Sequence, residues 1–333
     1  MPQILRTTLV PDATPAADGT VTYSLPVNPI SAILLTVKAL NETSTLTAYS
    51  YVSALLAMVT NLNVKYRGAT IVDGSLTDLA VIFACLARWF PFSLNNESED
   101  NQVRSLTVPI LFGRTPYSPT ECFPASRSGD LILSLTEDIA VAGADGLIIQ
   151  AETIELLDAN PERFTKITTQ TPAAFTAGSG NYVDLPIGNK LLGFLLRGFN
   201  VPDAADYQSS FGQVALQVDN VEVGYSETNW ETLHGELARK MGLSHNLNAH
   251  YHTTDTADAA TTYTDSLQQE DDGSLLNNYA FLDLDPLGDG TFSLDTRNAA
   301  QVRLKVTADA TDATASRVLP IELVEIGGAA GQA

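Results

Sequence analysis

Two imidazoles separated by one residue can share a cation, and His250-Tyr251-His252 has that spacing. His234 and His245 stand apart from the pair, and the first half of the chain has no histidine. The competing reading is a polar loop whose rings are solvated. A second group is Asp283, Asp285 and Asp289 within Phe281–Gly290. Carboxylates so spaced could hold calcium. The segment lacks EF-hand spacing, and a strand ending in a glycine-rich turn is the simpler reading. Cys85 sits between Ala84 and Leu86 and reads as a core thiol, and Cys122 has no histidine nearby to activate it. Gly178-Ser179-Gly180 and Gly327-Gly328 do not join a strand to a helix start, so no phosphate loop is expected. Arg88 and Arg239 stand at matching helical positions and read as partners of carboxylates within the chain or across a subunit contact. No catalytic or cofactor-binding residue is assigned, and no cofactor is expected. The histidine pair and the aspartate trio remain the metal candidates.

The elements that position these residues come from a chain of 333 residues with a formal net charge of −21. Such a surface repels phosphate, so direct nucleic-acid binding is not expected, and adsorption to anionic headgroups is disfavoured. Apolar residues make up 44% and charged residues 17%, which excludes a disordered chain and supports a large core. Two cysteines cannot build a disulfide framework or a four-thiolate zinc site. The start, Met1-Pro2-Gln3-Ile4-Leu5-Arg6, does not read as a secretory leader. The apolar stretches Ser31–Val37 and Tyr51–Leu62 are too short to span a bilayer, and Leu79–Phe92 is broken by Arg88 and Pro91. A soluble product of a cytoplasm is expected.

The chain is written twice. Leu131, Leu133 and Leu135 lie over Val302, Leu304 and Val306, and Thr136 and Asp138 lie over Thr307 and Asp309. Beyond a turn-rich gap, Ile148–Glu155 lies over Val318–Glu325, pairing Glu152 with Glu322, Ile154 with Val324 and Glu155 with Glu325. Arg6–Pro11 resembles Ile167–Pro172, Leu25-Pro26 resembles Leu185-Pro186, and Leu62–Tyr66 is set against Val221–Tyr225. Leu86-Ala87-Arg88 is set against Leu237-Ala238-Arg239. The ordered set predicts two copies of one unit, 1–158 and 163–326. The linker, 159–162, contains Pro161, which keeps Asn160 out of helix. A flexible tail, 327–333, follows. The halves are expected to superpose as two separate sandwiches, without a sheet continuous between them.

Most segments alternate apolar and polar residues with period two, as half-buried strands do. One segment per unit has helical spacing instead. In the first it runs through Leu76, Leu79, Ile82, Phe83, Leu86 and Phe90, with Ser75 and Asp78 as the cap. In the second it runs through Trp230, Leu233, Leu237 and Met241, with Thr228 and Glu231. Each unit then has about six strands, one helix after a mid-unit strand, and about three more strands. The fold class is all-β: two tandem jelly rolls. The second unit carries a long polar loop, 242–278, without Lys or Arg, expected on the surface.

The tandem units, the helix after a mid-unit strand and the segment Asn278–Thr296 resemble the double jelly-roll major capsid proteins of tailless icosahedral bacteriophages with an internal membrane. Within that family the resemblance is to the lipid-containing phage type that infects Flavobacterium. The resemblance implies a structural protein of the virion. The resemblance further implies pseudo-hexameric homotrimers that contact neighbouring trimers, minor capsid and penton proteins, and the internal membrane or its proteins. Assembly in the host cytoplasm and a place in the capsid shell follow. The amphipathic N-terminal helix of some relatives is not expected, because strand-like sequence begins by Ile4 and Pro11 follows.

Two other readings stay open. A tandem carbohydrate-binding or adhesin module would expose aromatic residues on one face, whereas Trp89 and Trp230 fall in the helical segments. A two-domain cupin enzyme would use His250 and His252, but the segment after them lacks the glutamate and glycine of that pattern.

Overall fold

The computed structural model describes residues 3–15, 18–41, 52–89, 91, 93–94, 103–141, 144–201, 208–240, 253–254, 263–264, 276 and 278–327. The first half runs β1 (Gln3–Ala13), β2 (Gly19–Ser24), β3 (Ile30–Asn41), α1 (Val52–Ala57), β4 (Val59–Tyr66), β5 (Ala69–Gly74), α2 (Leu76–Ala87), β6 (Ser93–Leu94), β7 (Val103–Leu111), β8 (Leu131–Glu137) and β9 (Ala144–Leu157). The second runs β10 (Arg163–Ile167), β11 (Gly180–Asp184), β12 (Lys190–Arg197), β13 (Gln213–Val218), β14 (Val221–Glu222), β15 (Thr228–Asn229), α3 (Trp230–Lys240), β16 (Thr253–Thr254), β17 (Tyr263–Thr264), β18 (Tyr279–Asp283), β19 (Leu294–Asp295), β20 (Val302–Thr307) and β21 (Arg317–Glu325).

The strand order repeats. In the first half β1-β9-β3-β7 form one sheet and β2-β8-β4-β5 the facing one; in the second, β10-β21-β12-β18 and β11-β20-β13-β14 follow the same plan. The pairing details repeat as well. Leu25 N–H donates to Leu131 O at 3.0 Å, and Leu185 N–H donates to Val302 O at 2.9 Å. This puts Leu131 over Val302, as the sequence predicts. Arg67-Gly68 and Asp219-Asn220 close two-residue hairpins, all four with positive φ, the turn that suits the twist of paired strands. Tyr66 therefore corresponds to Val218, not to Tyr225, and α2 follows the hairpin strand β5 rather than the strand ending at Tyr66.

The last strand also shifts. A bulge separates Ile30↔Glu155 from Ala32↔Ile154, and an identical one separates Leu191↔Glu322 from Gly193↔Ile321. Glu155 thus corresponds to Glu322, and Ile154 to Ile321 rather than Val324. A glutamate recurs every third position there, and letter matching alone chose the wrong one. Gly193 is required at its bulge, since a Cβ would lie 2.6 Å from Leu282 O.

The first half holds a second helix, α1, where the run Val52–Leu56, with Ser53 its one polar residue, is too short to mark a period. At α2, Ser75 caps as expected, accepting from Asp78 N–H at 3.2 Å. At α3 the expected cap fails: Thr228 lies in β15, paired with Val214. Both helices bury matching stripes, Leu76, Leu79 and Phe83 against Trp230, Leu233 and Leu237. This spacing sets Leu237 over Phe83, so Arg239 does not correspond to Arg88. Trp89 lies just past the left-handed C-cap Arg88 and is 43% exposed, so it is not a helix-core residue. Among the described residues no helix is long and apolar enough to cross a membrane.

The expected separation of the sheets does not hold. Ile167 of β10 pairs in parallel with Val72 of β5, so one nine-stranded sheet passes from the first half into the second. The cores interpenetrate too. Phe194, Leu196, Ala280 and Leu282 close the second-half core, while Leu195, Phe281, Leu319 and Ile321, on the opposite face, join the first-half core. Burial on both faces explains why β12 and β21 are apolar nearly throughout instead of alternating.

Candidate functional site: the junction between the halves

The chemistry-bearing side chains concentrate where the two halves meet. Asp78 projects from α2 and is fully buried. Its carboxylate accepts from Tyr279 Oη at 2.5 Å, Arg197 Nη1 at 3.2 Å and Arg317 Nη1 at 3.3 Å, donors carried by β18, β12 and β21 of the second half. A buried carboxylate without such partners would carry a large desolvation cost; here three donors of the opposite half compensate it. Burial, with the charge of Asp78, pushes the Tyr279 hydroxyl well above its ordinary pKa, so it stays a donor. Asp78 was expected only as part of a helix cap.

A second network lies beyond the end of β7. Arg114 binds Glu121 through two nitrogens and Asp285 at 3.1 Å, and Glu121 also faces Arg163 Nε at 2.8 Å. Burial opposes ionisation of Glu121, but the hydrogen bonds and charge of Arg114 and the charge of Arg163 overcome it and hold the carboxyl below its ordinary range.

These contacts decide where the aspartate trio points. Asp285 accepts from Arg114 and from Gly290 N–H at 2.7 Å. Asp283 meets Lys240 Nζ at 2.5 Å, and Asp289 accepts from Thr291 N–H at 2.8 Å. The segment is a strand end followed by a turn with positive φ at Gly288 and Gly290. Its carboxylates are taken by cations and amides of the chain. Among the described residues no group of three or more metal-ligating side chains converges. His250 and His252 lie outside the described residues. Of the loop 242–278, β16 and β17 pair with each other, and Leu276 is buried in the first-half core, so the loop's end is not surface.

A cavity of about 220 Å³ opens beside these networks, lined by Arg88, Arg114, Lys240, Asp283 and Asp285 among others. Arg88 reaches across to Pro286 O at 2.6 Å. Its partner among the described residues is thus a carbonyl of the other half and not a carboxylate. Burial pushes Cys85 up to about 12 and Cys122 up to about 11, so neither is a thiolate at neutral pH.

A further matched pair escaped the repeat as read by letters. Asn28 donates to Glu155 at 2.7 Å, and Asn189 donates to Glu322 at 2.6 Å. Both glutamates are buried at the equivalent bulges, where a free carboxylate would be costly. Each half thus pins its last strand to the turn before β3 or β12 with the same amide–carboxylate bond.

No family model matches the sequence, and no curated protein does. Solved structures do match. The STIV major capsid protein covers 99% of this chain and 99% of its own, at 13% identity and a TM-score of 0.66. The fold is that of the double jelly-roll major capsid proteins. The major capsid protein of bacteriophage PM2 matches over 96% of this chain and 97% of its own, at 13% identity and a TM-score of 0.57. The PBCV-1 virus capsid matches over 97% of this chain and 94% of its own, at 10% identity and a TM-score of 0.59. The double jelly roll of this chain is closed by buried ion networks between its halves, and it spans nearly the whole length of these capsid chains.

Proposed function

We propose that this chain is the major capsid protein of an icosahedral virus, a structural subunit without catalytic activity. The observation that carries this reading is the repeated strand order, matched along nearly the full length of capsid subunits in both directions. The chain forms a homotrimer. Two similar lobes per chain give a trimer six lobes, which lets it tile a hexagonal lattice. Trimers contact one another and minor capsid or penton proteins, and the shell encloses an internal membrane. The net charge of −21 suits a coat separated from the genome by lipid and dispersed in solution. The chain is made and assembled in the host cytoplasm, and it binds neither cofactor nor nucleic acid. The units 1–158 and 163–326 act as the two lobes, and the polar loop 242–278, apart from the buried Leu276 near its end, faces outward. Light scattering and electron microscopy of the purified protein test this: trimers or shells are expected. A stable monomer at high concentration and physiological salt would refute it.

A further inference from the structure

We infer that Glu137 works as a proton-operated latch in the first half. Protonated, it packs as a neutral side chain at the end of that core; ionised, it loosens the ends of β2 and β4 paired beside it and the helix α1 that leads into β4. The latch lies within one half of the chain and operates whether or not the chain forms trimers.

β8 buries every second side chain. Leu131, Leu133, Leu135 and Glu137 form that row, and Glu137 is 4% exposed. The three leucines belong to the first-half core. The fourth position puts a carboxyl in line with them. Its register partners are Gly19 of β2 and Val59 of β4, neither of which has a side-chain donor. Next along β8, Asp138 N–H donates to Met58 O at 3.0 Å, which ties this end of the strand to the residue between α1 and β4. The buried residues of α1 are Val52, Ala54, Leu55 and Leu56, all apolar.

A buried carboxylate needs a cation or several donors to offset its desolvation. Asp78, Glu121 and Glu322 each face an Arg or Lys, and Glu155 accepts from Asn28 and Thr7. Glu137 has no ion pair among the described residues, and all 18 Lys and Arg of the chain lie among them. The groups around it supply no positive charge. Tyr23 of β2 feels the charge of Glu137 and is itself neutral. Asp18 and Asp138 spend their carboxylates on Ile139 N–H at 2.9 Å and Ala140 N–H at 3.0 Å. α1 has no titratable residue, and neither do Val59, Thr60 and Asn61 of β4. Lys38 of β3 is paired with Asp12 at 2.8 Å. Arg104 of β7 is buried at the same end, in register with Ala39, and its charge is not among the influences on Glu137. Burial therefore governs this carboxyl and pushes it above its ordinary range.

The second half shows that the fold does not need a carboxyl there. Leu131 lies over Val302, so Glu137 lies over Ala308. Ala308 is buried and ends the row Val302, Leu304 and Val306 without an ionisable group. The device thus belongs to one lobe of the two. Its sign follows from the raised folded pKa. The contribution of Glu137 is fully present below the ordinary carboxyl value of about 4.3 and is lost as pH rises through the folded pKa. Glu121, held below its ordinary range, has the opposite dependence. The latch is closed in mild acid and loosens towards neutral pH.

The test compares the full chain with Glu137→Gln, which keeps the side-chain shape and cannot ionise. Denaturant melts from pH of about 4 to pH of about 8 give the global readout. Hydrogen exchange at the Val59 and Asp138 amides gives the local one. The gap in stability between parent and variant is expected to move against the parent as pH rises. Over the same range the Asp138 amide of the parent is expected to open roughly tenfold more often, relative to the variant, for each unit by which the folded pKa exceeds the unfolded one. At Asp309, its counterpart, the ratio of parent to variant is expected to stay constant. Should Glu137→Gln not fold, Glu137→Ala takes its place with the same expected result, since alanine fills the matching position of the second half. Melts of parent and variant that run parallel across this range, or a gap that moves in the parent's favour as pH rises, would overturn the inference. Neither result bears on the capsid reading, which the oligomeric state tests separately.

Discussion

The first half and the second share one strand order, yet differ at the places where a lobe meets its neighbour. β10 is paired on both sides, by β21 and by β5, whereas β1 is paired only by β9 among the described residues. The face of β12 and β21 is apolar and carries Arg197 and Arg317 under α2, while the face of β3 and β9 carries Thr36 and Gln150 in half-exposed positions. The interior of each jelly roll, by contrast, keeps its hairpin turns, its bulge and its asparagine–glutamate bond. A duplicated fold holds constant what each copy needs to close its own sandwich. It diverges where β10 and the face of β12 and β21 are covered by the other half, whereas β1 and the face of β3 and β9 are not covered in that way.

The largest effects should come from the shared interior. Trp230 is buried in the second-half core and stacks on Phe211. Trp230→Ala should cost roughly 3–5 kcal/mol in a denaturant melt. An unchanged midpoint would show that α3 does not close that core.

Next come the junction networks, which belong to one contact and not to its counterpart. Asp78→Asn should destabilise the folded chain by about 3 kcal/mol, since it leaves Arg197 and Arg317 without their buried anion. Thr232→Val, the matched change, should leave the melt of the isolated chain within about 0.5 kcal/mol. Equal losses from both would erase the distinction between the buried contact of Asp78 and the matched position Thr232.

The acid side of the stability curve sharpens the same point. Glu121 has its folded pKa held below its ordinary value of about 4.3 by Arg114 and Arg163 against the opposing effect of burial. Its contribution is therefore present above that value and is lost as pH falls through the folded pKa. Melts between neutral pH and pH of about 3 should show a smaller acid-induced loss in Glu121→Gln than in the parent chain. A parallel pair of curves would mean that the network does not titrate with folding.

Smaller effects test the repeated bond. Asn28→Leu and Asn189→Leu should each cost about 1–3 kcal/mol, because each leaves a buried glutamate short of a donor. Similar values from calorimetry would support equivalence of the two bulges, and a strong asymmetry would break it. Trp89→Ala should cost about 0.5–1.5 kcal/mol, since the ring is 43% exposed but meets the edge of Phe83 at 5.6 Å.

The sequence by itself determined the duplication, the strand-rich class, the cap of α2 and the buried stripes of both helices. These are local or periodic signals: a strand buried on one face alternates, and a helix repeats its apolar residues at three and four. It also placed the aspartate trio at a strand end and turn, through its glycines. Only the tertiary structure decided which glutamate answers which, because Glu152, Glu155, Glu322 and Glu325 look alike as letters and are told apart by a bulge and an asparagine. The structure likewise decided that Asp78 faces two arginines more than a hundred residues away in the chain, and that β10 completes a sheet begun by the first half. Those facts depend on which surfaces the fold brings together, and no periodicity within either segment encodes its distant partner.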